Sequence, residues 1–258
     1  MGSLPFISVI VPTHNRRKRL EALLACLERQ DYPPESYELI IVDDGSSDGT
    51  AEMLSARAEA GKLRLVRQAQ RGPGAARNLG AQAALGEVLA FTDSDCLPDP
   101  GWLSALAQAY ATPEAEPPAA VGGPVENLAS GAWLRQFQHA RGVDHTANHH
   151  PSPLYLDTAN ASFRREVFFQ AGGFNPAYAW SEDVDLGLRL RRAGQPLVTA
   201  AEAVVWHAGP ETLQAYLRRS RRIGCAQGQL AAEYPEVFYP PPPDGWRLRL
   251  RTWLDVLV

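Results

Sequence analysis

Four short apolar runs, separated by segments with helical periodicity, constrain the fold of this chain more than any other feature. The runs are rich in Val, Ile and Leu and span residues 7–11, 37–42, 63–66 and 88–92. The first helical repeat between them consists of Leu20, Leu23, Leu24 and Leu27, and Asn15 is predicted to cap its helix. Strands that alternate with helices predict an α/β fold with a mostly parallel sheet flanked by helices.

The second half of the chain predicts further elements around the same sheet. A stretch rich in Pro, Ala and Gly, residues 112–124, is typical of a hinge. A helix is predicted to begin near Ser181, a last strand to span residues 196–206 and end at His207, and a basic helix to begin at Leu213. The predicted parts of the chain are residues 1–123, 124–212 and 213–258.

Composition excludes several other classes of protein. With 45% hydrophobic and 21% charged residues the chain can bury a core, and its formal charge of −4 argues against a nucleic-acid binder. Its three cysteines are scattered, which argues against a disulfide framework and favours a reducing compartment. No run of about 18 apolar residues and no secretory signal core is present, so a cytoplasmic location is predicted.

Two aspartates at the end of the fourth predicted strand give the sharpest chemical signal. Asp93 and Asp95 are two residues apart, so on extended backbone their carboxylates point to the same side. Ligands of α/β sheets bind beyond the carboxyl ends of the strands. Paired carboxylates there suit Mg²⁺ or Mn²⁺, which in turn would hold a diphosphate. Turn or helix-capping aspartates are the structural alternative.

Two further segments place polar groups at strand ends. Asp43 and Asp44 suit the N–H and O–H donors of a nucleobase and ribose, although the Gly-Ser-Ser-Asp-Gly that follows also fits plain turn chemistry. Residues 71–80 form a glycine-rich loop that leads into a helix, yet they match neither G-x-G-x-x-G nor a Walker sequence. Arg77, on the first turn of that helix, is predicted to face the same crevice.

Seven short motifs follow one another along the chain. The first four are Ser-Val-Ile-Val-Pro-Thr-His-Asn (8–15), Val-Asp-Asp-Gly-Ser-Ser-Asp-Gly-Thr (42–50), Gly-Ala-Ala-Arg-Asn-Leu-Gly (74–80) and Phe-Thr-Asp-Ser-Asp (91–95). The others are Asn-Ala-Ser-Phe-Arg (160–164), Gly-Gly-Phe (172–174) and Ser-Glu-Asp-Val-Asp-Leu (181–186). Together they resemble the glycosyltransferase family 2 pattern on the GT-A fold, over roughly residues 6–210. The resemblance implies a Rossmann-like nucleotide-sugar half, an acceptor-side half with the catalytic base, and a helical C-terminal tail.

The resemblance implies nucleotide-binding roles for residues of the first half. The backbone near Pro12 and the side chain of Asp44 would hold the base. Asp43 and Arg77 would support the nucleotide, and Asp93 would lie near the ribose and the metal.

The resemblance also implies a catalytic centre that depends on a divalent metal, Mn²⁺ or Mg²⁺. Asp95 would be the principal ligand, and His207 matches a position that often adds a metal or diphosphate contact. A core histidine beside Trp206 is the alternative for His207. Asp183 matches the catalytic base, and its neighbour Glu182 is predicted to contact the acceptor.

Aromatic and histidine side chains of the second half suggest further contacts. Trp180 precedes the Glu-Asp pair and is predicted to stack on an acceptor sugar, with core packing as the alternative. Trp102 and Trp133 also flank this half. The histidines at 139, 145, 149 and 150 resemble a metal cluster in composition only and are predicted to be solvated or part of an acceptor loop.

These parts predict an inverting transferase that moves a sugar from a nucleoside diphosphate sugar, with UDP expected, to a hydroxyl acceptor. A glycan or lipid-linked saccharide of the cell envelope is the expected acceptor. The sequence offers no separate nucleophile for retention and no Gln-x-x-Arg-Trp signature of processive relatives. The alternatives are a non-catalytic nucleotide-sugar sensor and a sugar-1-phosphate nucleotidyltransferase, which should carry a glycine-rich basic signature after the first strand.

The C-terminal tail is basic and partly apolar. Residues 214–232 hold four arginines and no acid, and residues 246–258 interleave arginine with Leu and Trp. A solvated helix or a lid over the donor are two interpretations. Peripheral contact with the anionic inner face of a membrane is the third, because each arginine near such a surface contributes about 1 kcal/mol.

Overall fold

The computed structural model describes residues 4–111, 117–128, 153–208 and 212–239. Its first elements are β1 (Ile7–Thr13), α1 (Arg17–Leu27), β2 (Tyr37–Asp44), α2 (Thr50–Glu59), β3 (Arg64–Gln68), α3 (Pro73–Ala83), β4 (Val88–Phe91), β5 (Cys96–Pro98) and α4 (Trp102–Tyr110). Then follow β6 (Ala120–Gly122), β7 (Val125–Leu128), β8 (Ala161–Arg164), α5 (Arg165–Gln170), α6 (Glu182–Arg192), β9 (Leu197–Thr199), β10 (Val205–Ala208), α7 (Leu213–Glu233) and α8 (Pro235–Phe238).

Among the described residues, seven strands form the central sheet, in the order β3-β2-β1-β4-β8-β6-β9. β1 is parallel to β2 and β4, and the pairs β2–β3 and β6–β9 are also parallel. β8, between β4 and β6, runs antiparallel to both neighbours. The predicted α/β class with a mostly parallel sheet is therefore confirmed. The predicted boundary at residue 123 falls between β6 and β7, and strands from both sides of it share this sheet.

Helices cover both faces of the sheet, which explains why the predicted strands are mostly apolar. Every residue of β1 is buried. Val9 and Val11 enter one core with the leucines of α1 and with Trp102 of α4. Ile10 points to the opposite face and packs with residues of α3 and a cluster of aromatic rings. A strand buried on both faces has no polar side to alternate with, so its sequence reads as a continuous apolar run.

A second, three-stranded sheet corrects the prediction of one long last strand. Residues 196–206 do not form a single strand: β9 joins the central sheet, whereas β10 joins β5 and β7 in the small one. The segment between them, residues 200–204, closes in a turn in which Ala203 N–H donates to Ala200 O at 3.1 Å. Because β10 pairs with β5, His207 lies opposite Cys96 and next to Asp95.

The predicted cap of α1 is also wrong. Arg16, not Asn15, is the residue at the N-cap position. Asn15 adopts the left-handed region, with φ 52°, and its Oδ1 accepts from Ser47 N–H at 2.8 Å. Its own N–H donates to Ser46 Oγ at 3.0 Å. Asn15 ties the loop after β1 to the loop after β2, and these long-range bonds replace the local cap.

The first part of the tail packs on the acceptor-side half. Leu230 and Tyr234 are buried and pack against Tyr178 and Leu188 of that half. The hydroxyl of Tyr234 donates to Asp185 of α6 at 2.6 Å. Residues 240–258, on which the membrane hypothesis also rests, lie outside the described residues. Within the described ranges, the helices are too short or too polar to cross a membrane.

Gly80 marks the closest approach of α3 to the sheet. A Cβ there would lie 2.5 Å from Ile10 Cγ2 and 3.0 Å from Val42 Cγ2. We expect Gly80→Ala to lower the free energy of unfolding by about 1–3 kcal/mol, because an added methyl overpacks a full core. Gly228→Ala on α7 is the control, since an added Cβ meets no described atom within 4 Å. It should raise stability by about 0.5–1 kcal/mol. Equal effects in urea titrations would contradict the packing account.

Candidate active site

A change in strand order creates a crevice at the carboxyl ends of β1, β2 and β4. The chain passes from β1 outward to β2 and β3, and then returns to the other side of β1 as β4. Parallel α/β sheets bind ligands at such switch points. Pro12 pairs with Val42 and Thr13 with Asp43, so Pro12 and Asp43 lie at the same edge. Asp93 follows β4 there, which brings the sequence-predicted acids of two strands together.

The carboxylate of Asp44 is engaged by the loop that leads into α3. Its Oδ1 accepts from Gln68 Nε2 at 2.7 Å and from Arg71 N–H at 2.8 Å. Its Oδ2 accepts from Gly72 N–H at 2.9 Å. Asp44 therefore fixes the glycine-rich loop at the entrance to α3. A base held by Asp44, as the resemblance implies, would share oxygens that already have protein donors.

Asp43 is fully buried and organises the opposite loop. Its Oδ1 accepts from Ser46 N–H at 3.0 Å, and Arg67 Nε lies 3.5 Å from Oδ2. Asp48 accepts from Thr50 N–H at 3.1 Å at the start of α2. The turn chemistry that the sequence left open is thus present here, while the N-cap residue of α2, Gly49, offers no side chain to cap the helix. The effect of these turns is to hold the loops at two sides of the crevice in fixed positions.

Arg77 joins the two halves of the crevice. It lies on α3, is 3% exposed, and donates from Nη2 to Asp93 Oδ1 at 2.6 Å and from Nη1 to Glu182 Oε1. Burial by itself lowers the pKa of the guanidinium, but the charges of Asp93 and Glu182 outweigh burial and raise the pKa above its ordinary value. Arg77 therefore stays charged. Glu182, predicted to contact the acceptor, is paired with a residue of the predicted nucleotide side.

Asp183 follows Glu182 directly in the chain, and the pKa of its carboxyl group is raised. It is half-buried; its Oδ1 accepts from Val184 N–H at 2.9 Å and its Oδ2 from Thr158 N–H at 3.3 Å. Burial raises the pKa of Asp183 to about 8, and the charges of Glu182 and Asp157 add to the rise. A carboxylate with a raised pKa is a stronger base, as general-base catalysis requires.

Asp95 lies where two arginines and a histidine meet. Its Oδ2 accepts from Arg16 Nη1 at 2.9 Å and from Arg19 Nη1 at 3.1 Å. Its Oδ1 lies 3.6 Å from Nε2 of His207, which is 6% exposed. The pairing of β10 with β5 holds these groups together, because Ala208 N–H donates to Asp95 O at 3.0 Å.

The donor atoms at this point fit a divalent cation. A carboxylate oxygen of Asp95, the imidazole of His207 and the thiol of Cys96 lie within 4.8 Å of one another. Metal–ligand bonds of about 2.0–2.2 Å can bridge Asp95 Oδ1 and His207 Nε2, which lie 3.6 Å apart. Burial, then the charges of Asp93 and Asp95, raises the pKa of the Cys96 thiol well above its ordinary value. Mn²⁺ and Mg²⁺ prefer carboxylate oxygens to a thiol, so Asp95 is the main candidate ligand, with His207 beside it.

The tryptophans divide between the site and the core. Trp180 is half-buried, and Arg222 of α7 lies over its ring at 5.6 Å from the centroid. Arg222 thus covers one face of the ring that is predicted to stack on an acceptor sugar. Trp102 is fully buried and donates to Asn160 Oδ1 at 2.8 Å, so it belongs to the core. Trp133 and the histidines at 139, 145, 149 and 150 lie outside the described residues.

Sequence reasoning missed Arg16 and Arg19 at Asp95, and Asp157 beside Asp183. The arginines are three residues apart at the start of α1, so they share one helix face above the crevice. That spacing was a usable signal. Asp157 follows no strand and precedes a single turn, Thr158–Asn160, so little marked it in advance.

A parallel sheet with a switch point and acids at its strand ends is characteristic of nucleotide-binding α/β proteins. Residues 8–173 match the family described as Glycosyl transferase family 2, and the chain belongs to this family. The predicted membership is therefore confirmed.

Relatives and solved structures agree with this placement. The chain is 29% identical over 232 residues to glycosyltransferase AglE of Haloferax volcanii, covering 89% of this chain and 75% of that protein. It is 29% identical over 236 residues to validoxylamine A glucosyltransferase of Streptomyces hygroscopicus subsp. limoneus, covering 78% of this chain and 51% of the relative. The chain thus spans about half the length of that relative.

Among solved structures, the fold resembles mannosyltransferase PcManGT of Pyrobaculum calidifontis, determined in complex with GDP-Man and Mn²⁺. The TM-score is 0.68 at 26% sequence identity, over 89% of this chain and 65% of that one. The predicted GT-A fold is confirmed by this similarity.

Removal of the Arg77 charge tests how much the buried ion pair matters. We expect Arg77→Met to lower the free energy of unfolding at neutral pH by about 3–5 kcal/mol, because it leaves Glu182 buried without its partner. Arg57→Met breaks an exposed pair with Glu28 and should cost less than about 1 kcal/mol. Chemical denaturation of both variants measures the difference. Similar small losses would show that Arg77 does not hold the halves of the crevice together.

Proposed function

We propose that this chain is an inverting glycosyltransferase that moves a sugar from a nucleoside diphosphate sugar, with UDP as the expected nucleotide, to a hydroxyl acceptor. The observation that carries the proposal is the raised pKa of Asp183 beside the Arg77–Glu182 pair. This pair links a candidate base to the candidate nucleotide crevice. Membership of glycosyl transferase family 2 supports the same reaction class.

The donor is proposed to bind along the carboxyl edge of the sheet. Pro12 and Asp44 would flank the base, with Asp43 holding its loop, and Arg77 and Asp93 would support the ribose and diphosphate. The complex of the Pyrobaculum relative with GDP-Man and Mn²⁺ supports a nucleotide sugar as donor and a metal as cofactor. Asp95 and His207 would hold Mn²⁺ or Mg²⁺, which supplies positive charge against the leaving diphosphate.

The transfer itself is proposed to depend on Asp183. The acceptor hydroxyl oxygen forms a bond to the anomeric carbon from the face opposite the diphosphate. The hydroxyl proton passes to the Asp183 carboxylate, and the bond to the diphosphate oxygen breaks with its electron pair on the leaving group. One displacement inverts the anomeric configuration. General-base assistance of this kind contributes about 10²–10⁴-fold.

The acceptor is proposed to enter beside Trp180. The ring of Trp180 offers an apolar face to a sugar, and Arg222 beside it adds a positive charge. Glu182 would contact the acceptor through the end of the ion pair with Arg77. A glycan or lipid-linked saccharide fits these groups. Contact of the C-terminal tail with the inner face of a membrane, by an otherwise cytoplasmic protein, belongs to the same proposal.

The first test removes only the basicity of Asp183. We expect Asp183→Asn to lower kcat by about 10²–10⁴-fold with little change in donor affinity, because the amide keeps the shape of the side chain. In the parent enzyme, kcat/KM should rise with pH up to about 8, as the carboxyl loses its proton. Turnover close to that of the parent enzyme would remove Asp183 from this role.

Asp183→Asn should lower kcat but raise the stability of the folded chain. The pKa of Asp183 is raised in the folded chain, so the folded state binds this proton more tightly than the unfolded state. Stability from this group is therefore full below the unfolded pKa and is lost as pH rises towards about 8. Asp183→Asn should prevent this loss of stability, because an amide does not ionise as the pH rises. Its gain in melting temperature should be larger at about pH 8 than at about pH 5, and a gain independent of pH would contradict this account.

The second test asks whether the chain binds nucleotide sugars with metal. Thermal-shift measurements with UDP- and GDP-sugars in Mn²⁺ should find a ligand that adds about 2.7 kcal/mol at 100 times its dissociation constant. Asp95→Ala should abolish transfer and weaken nucleoside diphosphate binding much more in Mn²⁺ than in EDTA. Equal losses in both would mean that Asp95 acts by another route. If no nucleotide sugar stabilises the chain, the proposed function is wrong.

A further inference from the structure

Two arginines at the start of α1, one at its N-cap and one in its first turn, are bound to the residue proposed as principal metal ligand. Arg16 and Arg19 both donate to Oδ2 of Asp95, at 2.9 and 3.1 Å. Asp95 is 76 and 79 residues away from them in sequence, so the contact is a product of the fold. Both guanidinium groups therefore lie against the same carboxylate oxygen.

The two oxygens of Asp95 face different partners. Oδ2 faces the arginines, whereas Oδ1 lies 3.6 Å from Nε2 of His207. A divalent cation held by Oδ1 and His207 would lie next to both guanidinium groups. Like charges at such distances repel, so the arginines oppose binding of the cation as long as nothing else neutralises them.

The arginines border a groove that suits an anion. The groove has a volume of about 340 Å³ and is lined by Asn15, Arg16, Arg17, Lys18, Arg19 and Asp48. Four of these side chains are cationic and one is anionic. The guanidinium fork matches phosphate oxygens in pairs, and the side chains of Arg16 and Arg19 are 44% and 34% exposed, so a phosphate can reach them.

Hydrogen bonds hold the backbone between β1 and α1 in place, so Arg16 and Arg19 extend from a fixed segment of the chain. Asn15, in its left-handed conformation, accepts from Ser47 N–H and donates to Ser46 Oγ. Arg17 N–H donates to Asp48 Oδ2 at 3.3 Å. A left-handed asparagine is strained, and strain of this kind persists where the surrounding contacts fix it.

We infer that Arg16 and Arg19 bind the diphosphate of the nucleotide and release Asp95 to the divalent cation when they do so. This inference rests on the proposed function and adds a coupling to it. Without nucleotide, the arginines occupy Asp95 and the bare cation binds weakly. With nucleotide, phosphate oxygens take over the guanidinium groups, and Asp95 becomes available. Nucleotide and cation then strengthen each other's binding by the same factor.

The experiment measures binding in place of turnover. Mn²⁺ is titrated into the full chain, without nucleotide and with saturating UDP or GDP, whichever binds in the screen. Nucleoside diphosphate is also titrated in EDTA. In the parent protein, nucleotide should raise Mn²⁺ affinity by about 10-fold or more, within the usual range of coupling between sites.

The double variant Arg16→Gln/Arg19→Gln should reverse this pattern. Mn²⁺ alone should bind about 3-fold or more tightly than to the parent protein, the nucleotide affinity in EDTA should fall about 10-fold, and the coupling should shrink to about 2–3-fold. Asp95→Asn, which weakens the hold on both arginines, should keep or raise nucleotide affinity in EDTA. The control Arg57→Gln/Lys62→Gln removes two positive charges that pair with Glu28 instead, and should leave all three values unchanged.

Two outcomes distinguish this inference from the proposed function. If the parent protein binds nucleoside diphosphate with Mn²⁺ and the double variant keeps the parent's affinities and coupling, the inference is overturned and the function stands. If the control shifts the three values as much as the double variant, net charge explains the effect and the inference also fails. If the parent protein binds no nucleoside diphosphate in either condition, the proposed function itself fails.

Discussion

The rest of the site depends on the ion pairs that the buried guanidinium group of Arg77 forms with two carboxylates. Arg77 ties Asp93, after the fourth strand, to Glu182, at the start of α6. Burial of a charge is costly unless the partners compensate for it, and here two carboxylates do so. The same contact fixes the distance between the crevice at the sheet edge and the helix that carries Asp183. The acceptor-side half is thereby held by an electrostatic link in addition to its packing.

The ion pair between Arg77 and Glu182 gives the neighbouring carboxylates of Glu182 and Asp183 different environments. Glu182 is paired with Arg77, whereas the pKa of Asp183 is raised by burial, by Glu182 and by Asp157. Adjacent acids with opposite environments are the usual way for a protein to separate an ionised support from a base. At the other end of the crevice, Asp95 meets arginines on one oxygen and His207 near the other. Charge is thus distributed unevenly across the crevice: Asp183, the proposed base, lies beside Arg77 at one end, and Arg16 and Arg19 lie at the other.

The sheet topology explains why these groups can meet at all. Three strand ends converge at the switch point, and loops from each carry acids or arginines into it. The small sheet adds His207 by pairing β10 with β5. Loops that carry polar groups are fixed by other loops, as Asn15 and Asp44 illustrate. Precise placement of side chains on loops requires such cross-links, because a loop has no regular hydrogen bonding of its own.

The sequence alone determined the fold class, the order of the first four strands and helices, and the acids at the strand ends. Those features are local: apolar runs, helical spacing and motif order are written in adjacent residues, and strands buried on both faces leave a strong signal. Tertiary structure alone decided the partners. Arg77 with Glu182, Arg16 with Asp95, and Asp44 with the loop before α3 are contacts between distant segments. The division of residues 196–206 between two sheets and the left-handed Asn15 follow from such contacts as well. No local pattern records these outcomes, because the energy of an ion pair or a loop tie depends on which segments the fold brings within a few ångströms of each other.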